Sequence, residues 1–194
     1  MSYTFAIHDV LSAVVRSVLE RYQHYEWTVQ GFGMLRTYLD KGGEFRLHIW
    51  HNSFKVPGVS TIHDHPWDFE SKVVAGRVTN VRYTEVDLPG ARYSCQKIKC
   101  GAGGGLEGEP FSTLLVKMHE EVYLPGNVYN QLAKEIHESI PEDGTVTIIK
   151  RQFGPDTEHA RVFWSPSDVW VSAEPRLAAS WEVEEFVQEA LKRF

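Results

Sequence analysis

The chemistry in this chain is concentrated between Gly58 and Gly76, where His63, His65 and Glu70 follow one another at short intervals. In an extended strand, side chains two positions apart point to the same face, so His63 and His65 direct their imidazoles to one side. Pro66, Trp67 and Asp68 then form a turn, because proline cannot continue a central ladder. The chain returns in a strand beginning at Glu70, whose carboxylate can swing back toward the two imidazoles as a ligand or a base, or sit one step behind the ligands. Two histidines and a carboxylate with open positions suit ferrous iron and related divalent ions. A further imidazole has to come from elsewhere. His137 follows the Pro125-Gly126 turn on a strand of its own and is the expected donor, with His119 on the preceding strand as its rival. The expected ligands are therefore His63, His65, Glu70 and His137, holding one divalent ion. Fe(II) is favoured, and Mn, Ni or Zn would also suit, since ligand type alone does not select among them.

The elements that would position these residues are mostly strands. Runs rich in Val, Ile, Thr, Tyr and Phe, broken by Gly, Pro, Asn and Asp, predict strands near 33–39, 44–51, 58–65, 69–76, 78–86, 92–99, 111–118, 120–124, 134–139, 145–152 and 160–165. The Asp40-Lys41-Gly42-Gly43 turn predicts a hairpin between the first two. Many short strands with regular turn signals describe an all-β sandwich or barrel, and the absence of alternating strands and helices argues against a Rossmann-like arrangement. Helices are expected at the two ends. Ile7, Val10, Leu11, Val14, Val15, Val18, Leu19 and Tyr22 recur at helical spacing over residues 6–23. Ala178, Trp181, Val183, Phe186, Val187, Ala190 and Leu191 do so over 178–193, as a lid on the barrel exterior or a homodimer contact. The stretch from Gly101 to Gly105 lacks the Lys-Ser/Thr ending of a phosphate loop and reads as a connection between strands. No linker or internal repeat divides the chain, so one domain over 1–194 is expected, with the barrel spanning 33–166.

Composition narrows the partners. The chain has 194 residues, 42% of them hydrophobic and 24% charged, and a formal net charge of -6, which is ordinary for a globular domain and unfavourable for binding phosphate-rich partners. No basic run implies nucleic acid, no apolar stretch approaches a membrane span, and no secretory signal is visible. Cys95 and Cys100, the two cysteines present, read as reduced thiols of a cytoplasmic protein.

Taken together, Gly58, His63, His65, Glu70 and Gly76 resemble the first metal-binding motif of the cupins, with spacing one residue shorter at two places. Pro125 and Gly126 fit the turn of the second motif, where Tyr129 and Asn130 stand in place of the expected early histidine. Within the cupins, the chain is most similar to thiol dioxygenases of the cysteine dioxygenase type, over roughly residues 34–153. Ser60 through His65 resembles their metal-binding strand. Ile136-His137 and the run from Thr145 to Ile148 resemble the region of their third histidine. Leu35-Arg36-Thr37, followed by Asp40 to Gly43 and Phe45 to Leu47, resembles the stretch that carries their substrate-carboxylate arginine. The resemblance implies a cupin-type jelly roll and places that clamp on Arg36, with Arg46 on the next strand as a competitor. Two positions depart from it. Glu70 stands where some members have a cysteine cross-linked to tyrosine, and Ile149 to Gln152 contains no tyrosine to complete such a link.

Three functions follow as expectations. The first is a mononuclear metal dioxygenase or related oxidoreductase acting on a small anionic molecule, thiols among the candidates, with Arg36 as the clamp and Glu70 as ligand or base. The second is a non-catalytic, metal-stabilised or ligand-binding cupin. The third is a cupin isomerase or epimerase, which the intact histidine and glutamate set argues against.

Overall fold

The computed structural model describes residues 3–87, 93–100, 105–154, 158–165 and 175–194, with side chains from residue 10 onward. The architecture is mainly β, built from two antiparallel sheets. Among the described residues, thirteen strands lie between two α-helices: β1 (Trp27–Gln30), β2 (Phe32–Tyr38), β3 (Phe45–Lys55), β4 (Ile62–His63), β5 (Asp68–Ala75), β6 (Val78–Val86), β7 (Tyr93–Lys99), β8 (Leu106–Tyr123), β9 (Val128–Gln131), β10 (Ile136–Pro141), β11 (Thr145–Gln152), β12 (His159–Trp164) and β13 (Arg176–Leu177). The helices are α1 (Tyr3–Glu20) and α2 (Ser180–Leu191). One sheet has the order β13-β1-β2-β3-β11-β5-β9, and the strands β10-β4-β12-β7-β8-β6 close into a barrel.

The seven-stranded sheet has two chemically different faces, set by the period of two along each strand. Leu35, Leu47, Ile49, Val74 and Val146 face outward and pack against Val15, Val18 and Leu19 of α1 and Val183, Phe186, Val187 and Ala190 of α2. The apolar stripe read for α1 is wider than the face it buries, since Val10 and Val14 stay exposed, and Trp181 of α2 is likewise exposed. The carboxylate of Glu182 anchors the start of α2 by accepting the Ala179 N–H and both terminal nitrogens of Arg176. The opposite face carries Arg36, Arg46, His48, Trp50 and Thr147, aligned by the pairs Arg36↔His48, Thr147↔His48 and Tyr38↔Arg46. A separate apolar cluster of Cys95, Leu115, Ile136 and Phe163 lies among the strands of the closed barrel.

Several expected elements differ in extent. The segment expected over 58–65 is a strand only at Ile62–His63. The runs at 111–118 and 120–124 are one long strand, β8, which pairs with β6 on both sides of a register shift at Met118. Short strands β1, β9 and β13 lack the length that makes a pattern legible. The expected Asp40–Gly43 hairpin is present, its turn held by the Asp40 carboxylate accepting the backbone N–H groups of Glu44 and Phe45 at 3.1 and 2.6 Å. Of the glycine-rich connection, positions 101–104 lie outside the described residues.

Candidate metal centre

Three imidazoles meet where the closed barrel faces the larger sheet. His63 on β4 is directly paired in register with His137 on β10. His65 lies just beyond the end of β4, yet the local chain remains extended. The Asp64 N–H donates to the Arg161 carbonyl at 3.0 Å, and the Lys134 N–H donates to the His65 carbonyl at 2.8 Å. Asp64 itself points away from the imidazoles. It is fully buried and accepts the Arg161 backbone N–H and guanidinium Nε, each at 2.6 Å. That pair ties the segment between the two histidines to β12.

The ring nitrogens converge. His65 Nε2 lies 3.1 Å from His63 Nε2 and 3.1 Å from His137 Nε2, and the three ligand atoms fall within 4.8 Å of one another. On two rings the other nitrogen is already committed: His63 Nδ1 lies 2.8 Å from the Thr61 carbonyl and His137 Nδ1 lies 2.9 Å from Asn80 Oδ1. Both partners are oxygen acceptors, so these two Nδ1 atoms carry the protons and both Nε2 atoms present lone pairs. His65 has at most one proton to offer its two neighbours through Nε2. Burial lowers the pKa of all three histidines, with His65 and His137 well below the ordinary imidazole value, and for His65 the neighbouring His63 and His137 add to it. Neutral imidazoles with facing lone pairs and oriented Nδ1–H groups are the donor state a divalent cation requires.

Asn80 belongs to a chain of buried amides. Its Nδ2 donates to Gln131 Oε1 at 3.4 Å, and Gln131 Nε2 donates to the Glu135 carboxylate at 3.1 Å. Aromatic rings close the site on other sides. Phe32 stacks on His63 with centroids 5.0 Å apart, and Phe69 meets His65 edge-on at 5.0 Å.

Glu70 is not part of this cluster, which corrects its expected role as ligand or base. Strand β5 begins at Asp68, and its alternation buries Phe69 and Ser71 while Glu70 is exposed, paired in register with Lys150 and Asn130. The expectation placed the return strand in the wrong phase, and with period two a one-residue error moves a side chain to the other face. His119, the rival for the third position, is exposed on β8 and sits 2.8 Å from Glu121.

Arg36 is buried on the inward face of β2, where its Nη1 donates to Gln30 Oε1 at 3.1 Å. It is accompanied by two further arginines, Arg46 on β3 and Arg151 on β11. All three guanidinium carbons lie within 5.6 Å of the Tyr38 ring centroid. Trp67 connects this group to the histidines, with its ring 5.7 Å from His65, 5.3 Å from Arg46 and 4.8 Å from Arg151. Sequence reasoning did not find Asn80 or Arg151. The inward alternation of Thr145, Thr147, Ile149 and Arg151 was the available signal for the second. For Asn80 there was none, since its role depends on β6 and β10 lying side by side.

No protein-family model matches the chain, and no curated protein matches it. None of the helices is long and apolar enough to cross a membrane among the described residues.

Proposed function

We propose that the chain is a cupin-type metal protein, a mononuclear non-haem oxidoreductase of the dioxygenase kind that acts on a small anionic substrate, with thiol-bearing acids among the candidates. The observation that carries this reading is the convergence of three imidazole Nε2 atoms, two of them on rings whose Nδ1–H is already spent on an oxygen. The two antiparallel sheets, the closed barrel and the externally packed helices support a cupin reading. So do Gly58 and Gly76, the glycines flanking the first motif, which both adopt the left-handed backbone that favours glycine, with φ of 82° and 78°.

His63, His65 and His137 would hold a divalent iron, which would supply the one-electron and oxygen chemistry that side chains lack. The remaining work falls to the chain. His63 and His137 keep their protons on Nδ1 and their lone pairs on Nε2. Phe32, Phe69 and Trp67 pack against the half-buried rings of His63 and His65. The arginines beside Trp67 attract and orient the anionic end of the substrate, which fixes its reacting end relative to the histidines. With Glu70 on the outside, the chain would offer the ion three imidazoles and no carboxylate.

Elemental analysis and oxygen consumption on iron-loaded protein, with a panel of small thiols and thiol acids, test this reading. The expected result is about one divalent ion per chain and substrate-dependent oxygen uptake that His137→Ala abolishes. Metal binding without oxygen uptake on any panel member refutes the oxidoreductase. No uptake of iron, manganese, nickel or zinc refutes the metal centre itself.

A further inference from the structure

The three arginines around Tyr38 are unlike the other well-placed arginines of the molecule. Arg161 is neutralised by Asp64 and Glu85, and Arg176 by Glu182. Arg36, Arg46 and Arg151 form no ion pair with any carboxylate among the described residues. Arg36 bonds to the uncharged side chains of Thr28 and Gln30. Arg151 donates to the Gly43 carbonyl. Arg46 donates to the Tyr38 hydroxyl at 3.0 Å, while its Nε is buried with no hydrogen-bond partner. Burial together with the charges of Arg36 and Arg151 pushes the Arg46 pKa down to about 9. The nearest acid acting on Arg151, Asp40, already spends its oxygens on the backbone of its own turn.

A second observation points into the same space. His48 is 4% exposed, shares the inward face of β3 with Arg46, is paired in register with Arg36, and leaves both ring nitrogens without a partner. Its pKa is held well below the ordinary value by burial and by the same three arginines, so it adds no charge and offers one donor and one acceptor. Three guanidiniums converging with neutral histidines concentrate positive charge that no ion-paired carboxylate among the described residues neutralises, with Asp40 acting on Arg151 only from its own turn. Buried charge of this kind requires a counter-charge from the ligand. One carboxylate would leave most of it uncompensated.

We propose that this cluster of side chains recognises a small acid carrying at least two negative charges, either two carboxylates or one phosphoryl group, held by Arg46, Arg151 and Arg36 with His48 hydrogen-bonding to it. The proposal rests on the metal-centre reading in that Trp67 sets this anion site beside His65, so the bound acid is the substrate of that centre. It goes beyond that reading in fixing the substrate's charge.

Calorimetric titration of the purified chain with acetate, malonate and inorganic phosphate at matched low ionic strength tests it, and the malonate and phosphate arms separate the two chemical sources. One dianion should bind at least about tenfold more tightly than acetate. Arg46→Gln should weaken that dianion about tenfold while affecting acetate less, and Arg46→Lys should restore only part of the loss because an ammonium lacks the fork. The preference should survive His63→Ala, which removes a metal ligand and leaves the arginines in place. Equal binding of acetate and both dianions, or no dianion binding, overturns the proposal. So does loss of the preference in His63→Ala, which would mean a metal had held the anions. Metal uptake without dianion preference defeats this inference alone, and dianion preference without metal uptake defeats the metal centre alone.

Discussion

Replacing Asn80 with alanine removes the acceptor for the His137 Nδ1–H without touching a ligand atom. Asn80 is 1% exposed and its Oδ1 stands 2.9 Å from Nδ1, so no solvent is at hand to take its place. Two independent lines give the size of the effect. A buried donor left unsatisfied costs about 1–3 kcal/mol. Loss of the group that orients a metal-bound histidine lowers metal affinity by about 10–100-fold, which is about 1.4–2.7 kcal/mol. The ranges coincide because they describe the same event: a ring that can rotate or change tautomer, presenting N–H where a lone pair was. Competition for Fe(II) or Zn(II) against a chelator of known affinity measures it, with circular dichroism as a check on the fold. Asn80→Asp should bind metal more tightly than Asn80→Ala, since a carboxylate accepts the same hydrogen while giving up only the Nδ2 donor to Gln131. An Asn80→Ala protein that is folded and binds metal as tightly as the original would refute the argument that this hydrogen bond sets the donor state of His137.

Further outcomes follow from the same geometry. Glu70→Gln should leave metal stoichiometry and affinity unchanged, because the residue is exposed on the outer face of β5; loss of metal in that variant would return Glu70 to the ligand set. Asp64→Ala should destabilise the chain by about 1–3 kcal/mol in denaturant titrations, since it leaves the Arg161 backbone N–H without its acceptor while Glu85 still pairs with the guanidinium. In metal-free protein, His48, His63, His65 and His137 have folded-state pKa values below the unfolded value near 6.5. The unfolded chain therefore binds protons first. Stability should be flat above about pH 6.5 and fall below it, by up to about 1.4 kcal/mol per pH unit for each histidine. Melting temperatures that stay constant from pH 7.5 to 5 would contradict this assignment.

The sequence revealed the site unevenly, for physical reasons. His63, His65 and His137 were legible because a pair at strand spacing and a lone histidine after a Pro-Gly turn are local signals. The strands Val78–Val86 and Thr145–Gln152 coincide with the predicted ranges, because each has a long β-rich run between clear turns. Glu70 failed on phase: the position at which a strand resumes after a proline turn is set by its partners, here β9 and β11, and only then does alternation decide which side faces in. The arginine cluster was half legible. Arg36 was singled out by resemblance and Arg46 by its reach, but Arg151 joins them only because β11 lies beside β3.

The two-residue strand β4 has a consequence for the whole barrel. It touches β10 through the single pair His137↔His63 and β12 through two residue pairs, so the ring of six strands is narrowest where the histidines stand. An ion held there would act as a rivet across a seam, tying together His65 and His137, 72 positions apart in the chain. By chain entropy alone, a link closing a loop of that length is worth about 4 kcal/mol. Occupancy of such a centre would then be coupled to closure of the ring, and the amide of His63 should exchange faster in chelator-treated protein than in protein loaded with iron or zinc.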